Sequence, residues 1–192
     1  MLNATGPQPE AQVTEIAWAD HLAQLNFFVK SPVLLGRAVL PGMQARRFGR
    51  LVHIDSEVAH RPPPGRSAYA TAKSAQVGLT YSWARELAPF GITVNTVAPG
   101  FVPVERHADV PREIRDAYLA SVPAGRMGTP ADIAHPVSFL TSEASDDGEV
   151  KSGVSRKAAC VSGPAAGSGR SWLCVRCVLA GVAVALARPG ST

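Results

Sequence analysis

Apolar positions recur at helical spacing from about Ile16 to Phe28, with Trp18, Leu22 and Leu25 on one face. A second helical run follows from about Pro32 to Arg46, where Val33, Leu34, Ala38 and Val39 are apolar and Pro41 should bend or shorten the helix. The period then changes. Gly49 to Ser56 reads as a short strand, because Leu51, Val52 and Ile54 are apolar and the β-branched content is high. Arg61-Pro62-Pro63-Pro64-Gly65 marks a loop. A long helix is predicted from Ser67 to about Ala88, with Ser67 as N-cap and Pro89 and Gly91 as its stop. Its apolar residues Val77, Leu79, Trp83 and Leu87 fall on more than one side, so broad burial is expected. Ile92 to Ala98 is a second strand, ended by Pro99-Gly100.

Strand, long helix and strand with short joints make a βαβ unit, whose strands should be parallel. Downstream, Pro111 to about Ser121 reads as a short amphipathic helix. Thr129-Pro130-Ala131-Asp132 is a helix start, with a capping threonine, proline at the first turn and an acid beside it. That helix should reach about Thr141 with Pro136 inside it. After Ser145 the texture changes to Gly, Ser, Ala, Arg, Val and Cys without a sustained period.

Composition narrows the class. The 192 residues are 46% hydrophobic and 18% charged, as in a soluble globular domain with a real core. The net charge of +4 is uneven. Residues 1–145 hold thirteen basic and twelve acidic side chains, and residues 146–192 hold six and three. The basic excess therefore belongs to the tail, and no basic stripe with interleaved aromatics points to nucleic acid. Cys160, Cys174 and Cys177 also lie there, so no disulfide framework spans residues 1–145. Cys174 and Cys177 have the spacing of half a zinc or redox site, and with no second half the pair is read as chance. The N-terminus lacks the basic and apolar regions of a signal peptide, which fits a cytoplasmic protein. Residues 171–187 are apolar but short for a membrane span and interrupted by Arg176.

Candidate chemistry sits at the start of the long helix. Tyr69 and Lys73 are four apart, hence on one face and one turn from each other. A tyrosine has an unperturbed pKa of about 10. An ammonium about 4 Å away, at an effective dielectric near 20, favours the phenolate by roughly 4 kcal/mol. That is about three pKa units, enough to bring the phenol near working pH. Read alone, Tyr-x-x-x-Lys also describes an ordinary helix pair with a solvated lysine.

Ser56, Tyr69 thirteen residues on and Lys73 four further, with their flanking strands, resemble the short-chain dehydrogenase/reductase family, of the 3-oxoacyl-acyl-carrier-protein reductase kind. The resemblance covers roughly residues 1–145. Gly49-Arg50-Leu51-Val52-His53-Ile54 is similar to the strand before the catalytic serine. Glu86 to Gly100 resembles the helix end, next strand and Pro-Gly turn, and Pro123 to Ala134 with Phe139-Leu140 resembles a downstream signature.

The resemblance implies an α/β fold, here part of a Rossmann-type doubly wound parallel sheet. It implies NAD or NADP as cofactor and a small carbonyl or alcohol substrate. Tyr69 is implied as general acid or base. Lys73 would hold the nicotinamide ribose, and Ser56 would bind the substrate oxygen. Asn3, Ala4 and Gly6, in Asn3-Ala4-Thr5-Gly6, together with Pro99, Gly100 and Val102, are implied cofactor neighbours. No metal site is expected, and the long helices are the expected contact of a homo-oligomer.

Departures carry their own expectations. No Gly-x-x-x-Gly-x-Gly follows a strand, so the first strands of the nucleotide-binding half are expected to be absent from residues 1–145. An inactive fragment, or a subunit pairing with a related chain, is the alternative to an active reductase. Spacing to Gly49 puts Phe28 where the family has a catalytic asparagine, with Asn26 two residues early. Val104 replaces a threonine of the family. Arg106, His107, Arg112 and Arg115 suit either an anionic ligand or a solvated surface. Residues 146–192 are expected to be an unrelated, disordered or frame-shifted end.

Overall fold

The structure, a computed structural model, describes residues 6–142, 145, 151–154, 172–173 and 182–187. It divides into two compact units, residues 1–98 and 99–192.

In the first unit the two expected helices form one helical run. Helix α1 (Trp18–Leu25) passes through a π-helical turn (Asn26–Lys30) directly into α2 (Ser31–Ala45). The break expected before Pro32 is absent because the chain stays helical through Asn26 and Ser31. Pro32 has no N–H to return to the preceding turn, and the widened turn absorbs that loss. The Ser31 hydroxyl donates to the Asn26 carbonyl at 2.9 Å. Pro41 is carried inside α2 without ending it.

Strand β1 (Gly49–Ile54) and β2 (Ile92–Val97) pair in parallel, Gly49 opposite Ile92 through Ile54 opposite Val97. Helix α3 (Ser67–Leu87) crosses between them, as the βαβ reading requires. Ser67 is not its cap. Arg66 holds that position without a side-chain bond, and the Ser67 Oγ is buried without a partner among the described residues. After α3 the chain turns at Gly91, whose φ is +68° and where an added Cβ would lie 2.5 Å from the Arg47 carbonyl oxygen. Both facts favour glycine there.

The core gathers Leu51, Leu87, Ile92 and Val94, closed by Leu40, Met43, Trp83 and Phe90. Each large apolar side chain buried in this way contributes about 1.5–3 kcal/mol. Helix α1 packs against α3. Ala68 and Ala72 are fully buried on α3, so small side chains let neighbours approach closely.

The second unit contains α4 (Arg112–Ala120) and α5 (Pro130–Thr141). Thr129 caps α5 as expected. Its Oγ1 accepts from the Asp132 N–H at 3.3 Å, and the Thr129 N–H donates to the Asp132 carboxylate at 3.0 Å. Within the segment expected to lack regular structure, three short strands occur: β3 (Lys151–Val154), β4 (Trp172–Leu173) and β5 (Val182–Ala187). They pair antiparallel in the order β3-β5-β4. The alternation of Val182, Val184 and Leu186 with alanine suits a strand. The three cysteines lie outside the described residues.

Candidate active site

The first turns of α3 carry the site. Tyr69 and Lys73 are both buried, at 8% and 3% exposure, so neither is a solvated helix-face residue. The Lys73 ammonium lies 5.8 Å from the centroid of the Tyr69 ring. It donates to the Ile54 carbonyl at 2.7 Å and to the Gln76 side-chain oxygen at 3.2 Å. The bond to Ile54 ties α3 to the end of β1, where the strand meets the serine.

Ser56 is extended, at φ −158° and ψ 150°, just beyond the β1–β2 ladder. Its Oγ accepts the Val58 N–H at 3.2 Å and caps a 3₁₀ turn (Glu57–Ala59). That bond uses a lone pair and leaves the hydroxyl proton available to donate.

Phe28 occupies the space beside this pair. It is 3% exposed and meets the Tyr69 ring edge-on, with centroids 5.5 Å apart. The Lys73 ammonium lies 3.9 Å from the Phe28 ring centroid, within cation–π distance. Asn26, two residues earlier on the π-turn, is exposed. The structure therefore brings Phe28, and not Asn26, to Tyr69 and Lys73.

Two titratable groups were not singled out by sequence. His53 lies on β1, on the side shared with Leu51, and Asp55 follows one residue past the end of the strand. His53 is fully buried, and its Nδ1 lies 2.7 Å from the Thr80 hydroxyl of α3. Burial, and next the Lys73 charge, push its pKa down to about 4, so it is neutral at pH 7. Asp55 is 4% exposed, and its main-chain N–H donates to the Val97 carbonyl at 2.8 Å. Burial pushes its carboxyl up to about 7, against the opposing pull of Lys73 and the Ser56 N–H. The Ser56 N–H lies outside hydrogen-bond geometry, and neither carboxyl oxygen has a partner among the described residues. The readable signal was the alternation Leu51, His53, Asp55, which sets two polar residues on an apolar face.

The remaining positions are less gathered. Gly6 has the Phe27 ring 2.7 Å from where a Cβ would stand, so a neighbouring side chain already accounts for glycine there. Asn3 and Ala4 lie outside the described residues. Pro99, Gly100 and Val102 belong to the second unit. In that unit the Val102 carbonyl lies 3.0 Å from His107 Nδ1, and the Phe101 N–H donates to the Tyr118 hydroxyl at 2.8 Å. Arg112 is exposed and reaches Asp116 at 3.4 Å. Among the described residues no group of three His, Cys, Asp or Glu side chains could hold a metal. None of the described helices is long and apolar enough to cross a membrane.

A parallel βαβ unit with a buried Tyr-x-x-x-Lys helix and a serine at the strand end defines a short-chain dehydrogenase/reductase, and this chain belongs to that family. Residues 1–147 match the family described as enoyl-(acyl carrier protein) reductase. The chain is 43% identical over 131 residues to the 3-oxoacyl-(acyl-carrier-protein) reductase of Vibrio cholerae, across 68% of this chain and 52% of that protein. It is 33% identical over 145 residues to the corresponding reductase of Thermotoga maritima, across 76% of this chain and 59% of that protein. Among solved structures, a 3-oxoacyl (acyl-carrier-protein) reductase from Agrobacterium tumefaciens with NADP bound superposes with a TM-score of 0.69 at 35% identity. That match covers 74% of this chain and 57% of the other. The chain thus spans about half the length of the curated relatives it matches.

Proposed function

We propose that residues 1–145 carry the proton-transfer machinery of an NAD(P)-dependent oxidoreductase that interconverts a keto group and a secondary alcohol. The observation that carries this reading is the burial of Tyr69 and Lys73 together, one turn apart, at the end of the strand leading to Ser56.

These residues fit the nicotinamide end of a dinucleotide. A buried cation within 6 Å of a phenol ring favours the phenolate, and the neighbouring serine offers a donor to an oxygen. When bound, the cofactor supplies or removes the hydride. In the reducing direction, Tyr69 gives its hydroxyl proton to the carbonyl oxygen and becomes a phenolate, held by the Lys73 ammonium. In oxidation, the phenolate takes that proton back. The Ser56 hydroxyl donates to the same oxygen and orients it. Phe28 covers the buried side of the ammonium and excludes water from it.

The similarity to 3-oxoacyl-(acyl-carrier-protein) reductases supports a keto substrate, and the NADP-bound neighbour supports a nicotinamide cofactor, NAD or NADP. Leu34, Leu35 and Val39 on α2 and Tyr81 on α3 are exposed. They support pairing of two copies along these helices, which sedimentation would test. Absence of any membrane-length helix among the described residues is consistent with a cytoplasmic enzyme.

The test is titration of the full chain with NADH and NADPH, followed by turnover of a 3-keto thioester with wild type and Tyr69→Phe. The expected result is cofactor binding by both proteins and a loss of roughly 10²- to 10⁴-fold in turnover for the variant. Equal turnover by the variant would refute Tyr69 as the proton donor.

A further inference from the structure

We propose that Asp55 is a positioning residue of the acid–base pair: its buried carboxyl, one residue past the end of β1, competes with the Tyr69 phenol for the Lys73 ammonium. This rests on the reading of Tyr69 and Lys73 given above.

The geometry begins with the lysine. Its ammonium donates to the Ile54 carbonyl, the residue immediately before Asp55, at 2.7 Å. The cation is therefore anchored at the peptide that leads into Asp55. The carboxyl is 4% exposed and has no hydrogen-bond partner on either oxygen among the described residues. A buried, unpartnered carboxyl is costly, so its state depends strongly on the charges that face it.

Those charges are few among the described residues. On β1 the neighbour is His53, which is neutral because burial lowers its pKa. On α3 they are Lys73 and the Tyr69 phenol. The π-turn contributes the uncharged Phe28, and β2 contributes the Val97 carbonyl to the Asp55 N–H. Lys73 thus faces two groups able to become anions, Tyr69 and Asp55. Burial raises the carboxyl to about 7, so it changes charge near neutral pH. When neutral, it no longer competes with the phenol for the field of the ammonium. When ionised, it opposes the phenolate and holds the tyrosine proton more tightly.

Ionisation of Tyr69 is directly measurable without cofactor or substrate. The chain has three tyrosines, so Tyr69→Phe assigns the Tyr69 component in a near-ultraviolet phenolate titration of the full chain. Asp55→Asn should lower the Tyr69 midpoint by about one pH unit, the scale of a unit charge several ångströms away at an effective dielectric near 20. Asp55→Ser, which also removes the charge in less volume, should lower it likewise. Lys73→Met should raise it. If Lys73→Met raises the midpoint while neither Asp55 variant moves it, the pair stands and the proposal is overturned. If no variant moves it, the pair itself is wrong and the proposal falls with it. A purely structural role for Asp55 would change stability and leave the midpoint in place.

Discussion

The Lys73 ammonium lies 3.9 Å from the centroid of the Phe28 ring, a cation against an aromatic face inside the protein. The contact joins the π-turn to the site helix. Such contacts contribute about 0.5–2 kcal/mol, the higher end when desolvated. Phe28→Leu keeps most of the volume and removes the ring. It should destabilise the first unit by about 1–2 kcal/mol, seen as a lower midpoint in chemical denaturation. An unchanged midpoint would show that the ring acts only as packing.

Stability should depend on pH through two buried groups of opposite sign. Asp55 is raised from 3.8 to about 7, so the folded state binds the extra proton between those values. Its effect is a stability present at low pH and lost as pH rises through about 7. His53 is lowered from 6.5 to about 4, so the unfolded state binds the extra proton there. Its effect is a stability present above 6.5 and lost as pH falls through about 4. Between 4 and 6.5 the two slopes oppose each other. Asp55→Asn should leave the rising His53 slope alone in that range and remove the decline toward pH 7. Urea denaturation across pH 4–8 reads both, and parallel curves for wild type and variant would contradict the assignment.

Gly36 on α2 stands under Trp83 of α3, where an added Cβ would lie 2.5 Å from the ring. Gly36→Ala would normally favour a helix by about 1 kcal/mol. Here it must displace a packed indole, and overpacking costs about 1–3 kcal/mol. The net expectation is a loss of stability, accompanied by a shift in Trp83 fluorescence. A more stable variant would mean that the helices separate without cost.

In the second unit Thr129 accepts from the Asp132 N–H and begins α5. Thr129→Ala should cost about 1 kcal/mol, read as faster amide exchange in the first turn of that helix. Thr129→Ser should restore protection, because the hydroxyl is what the cap requires.

Much of this was readable from local pattern. Strands β1 and β2, α3 and the α5 cap follow from β-branched runs, helical spacing and the Thr-Pro-x-Asp start. Tyr69 and Lys73 are separated by one helical turn, so their shared face needed no tertiary information. What escaped was tertiary in origin. No residue type in Asn26–Lys30 announces a π-turn, which arises where a helix continues through Pro32. Ser67 has the chemistry of a cap, yet it is already the first helical residue, and Arg66 stands at the cap position. Asp55 was hidden behind Ser56, although its alternation with Leu51 already set a carboxyl on the apolar side.

The π-turn also makes the contents of the site a matter of counting. One residue of helix corresponds to about 100° of rotation. Removing Val29 or Lys30 would move Phe28 one place toward α2, and its ring would leave the Lys73 ammonium. Insertion or loss of one residue in α1–α2 is therefore a way to exchange the group that faces the lysine while α3 and β1 keep every side chain they have.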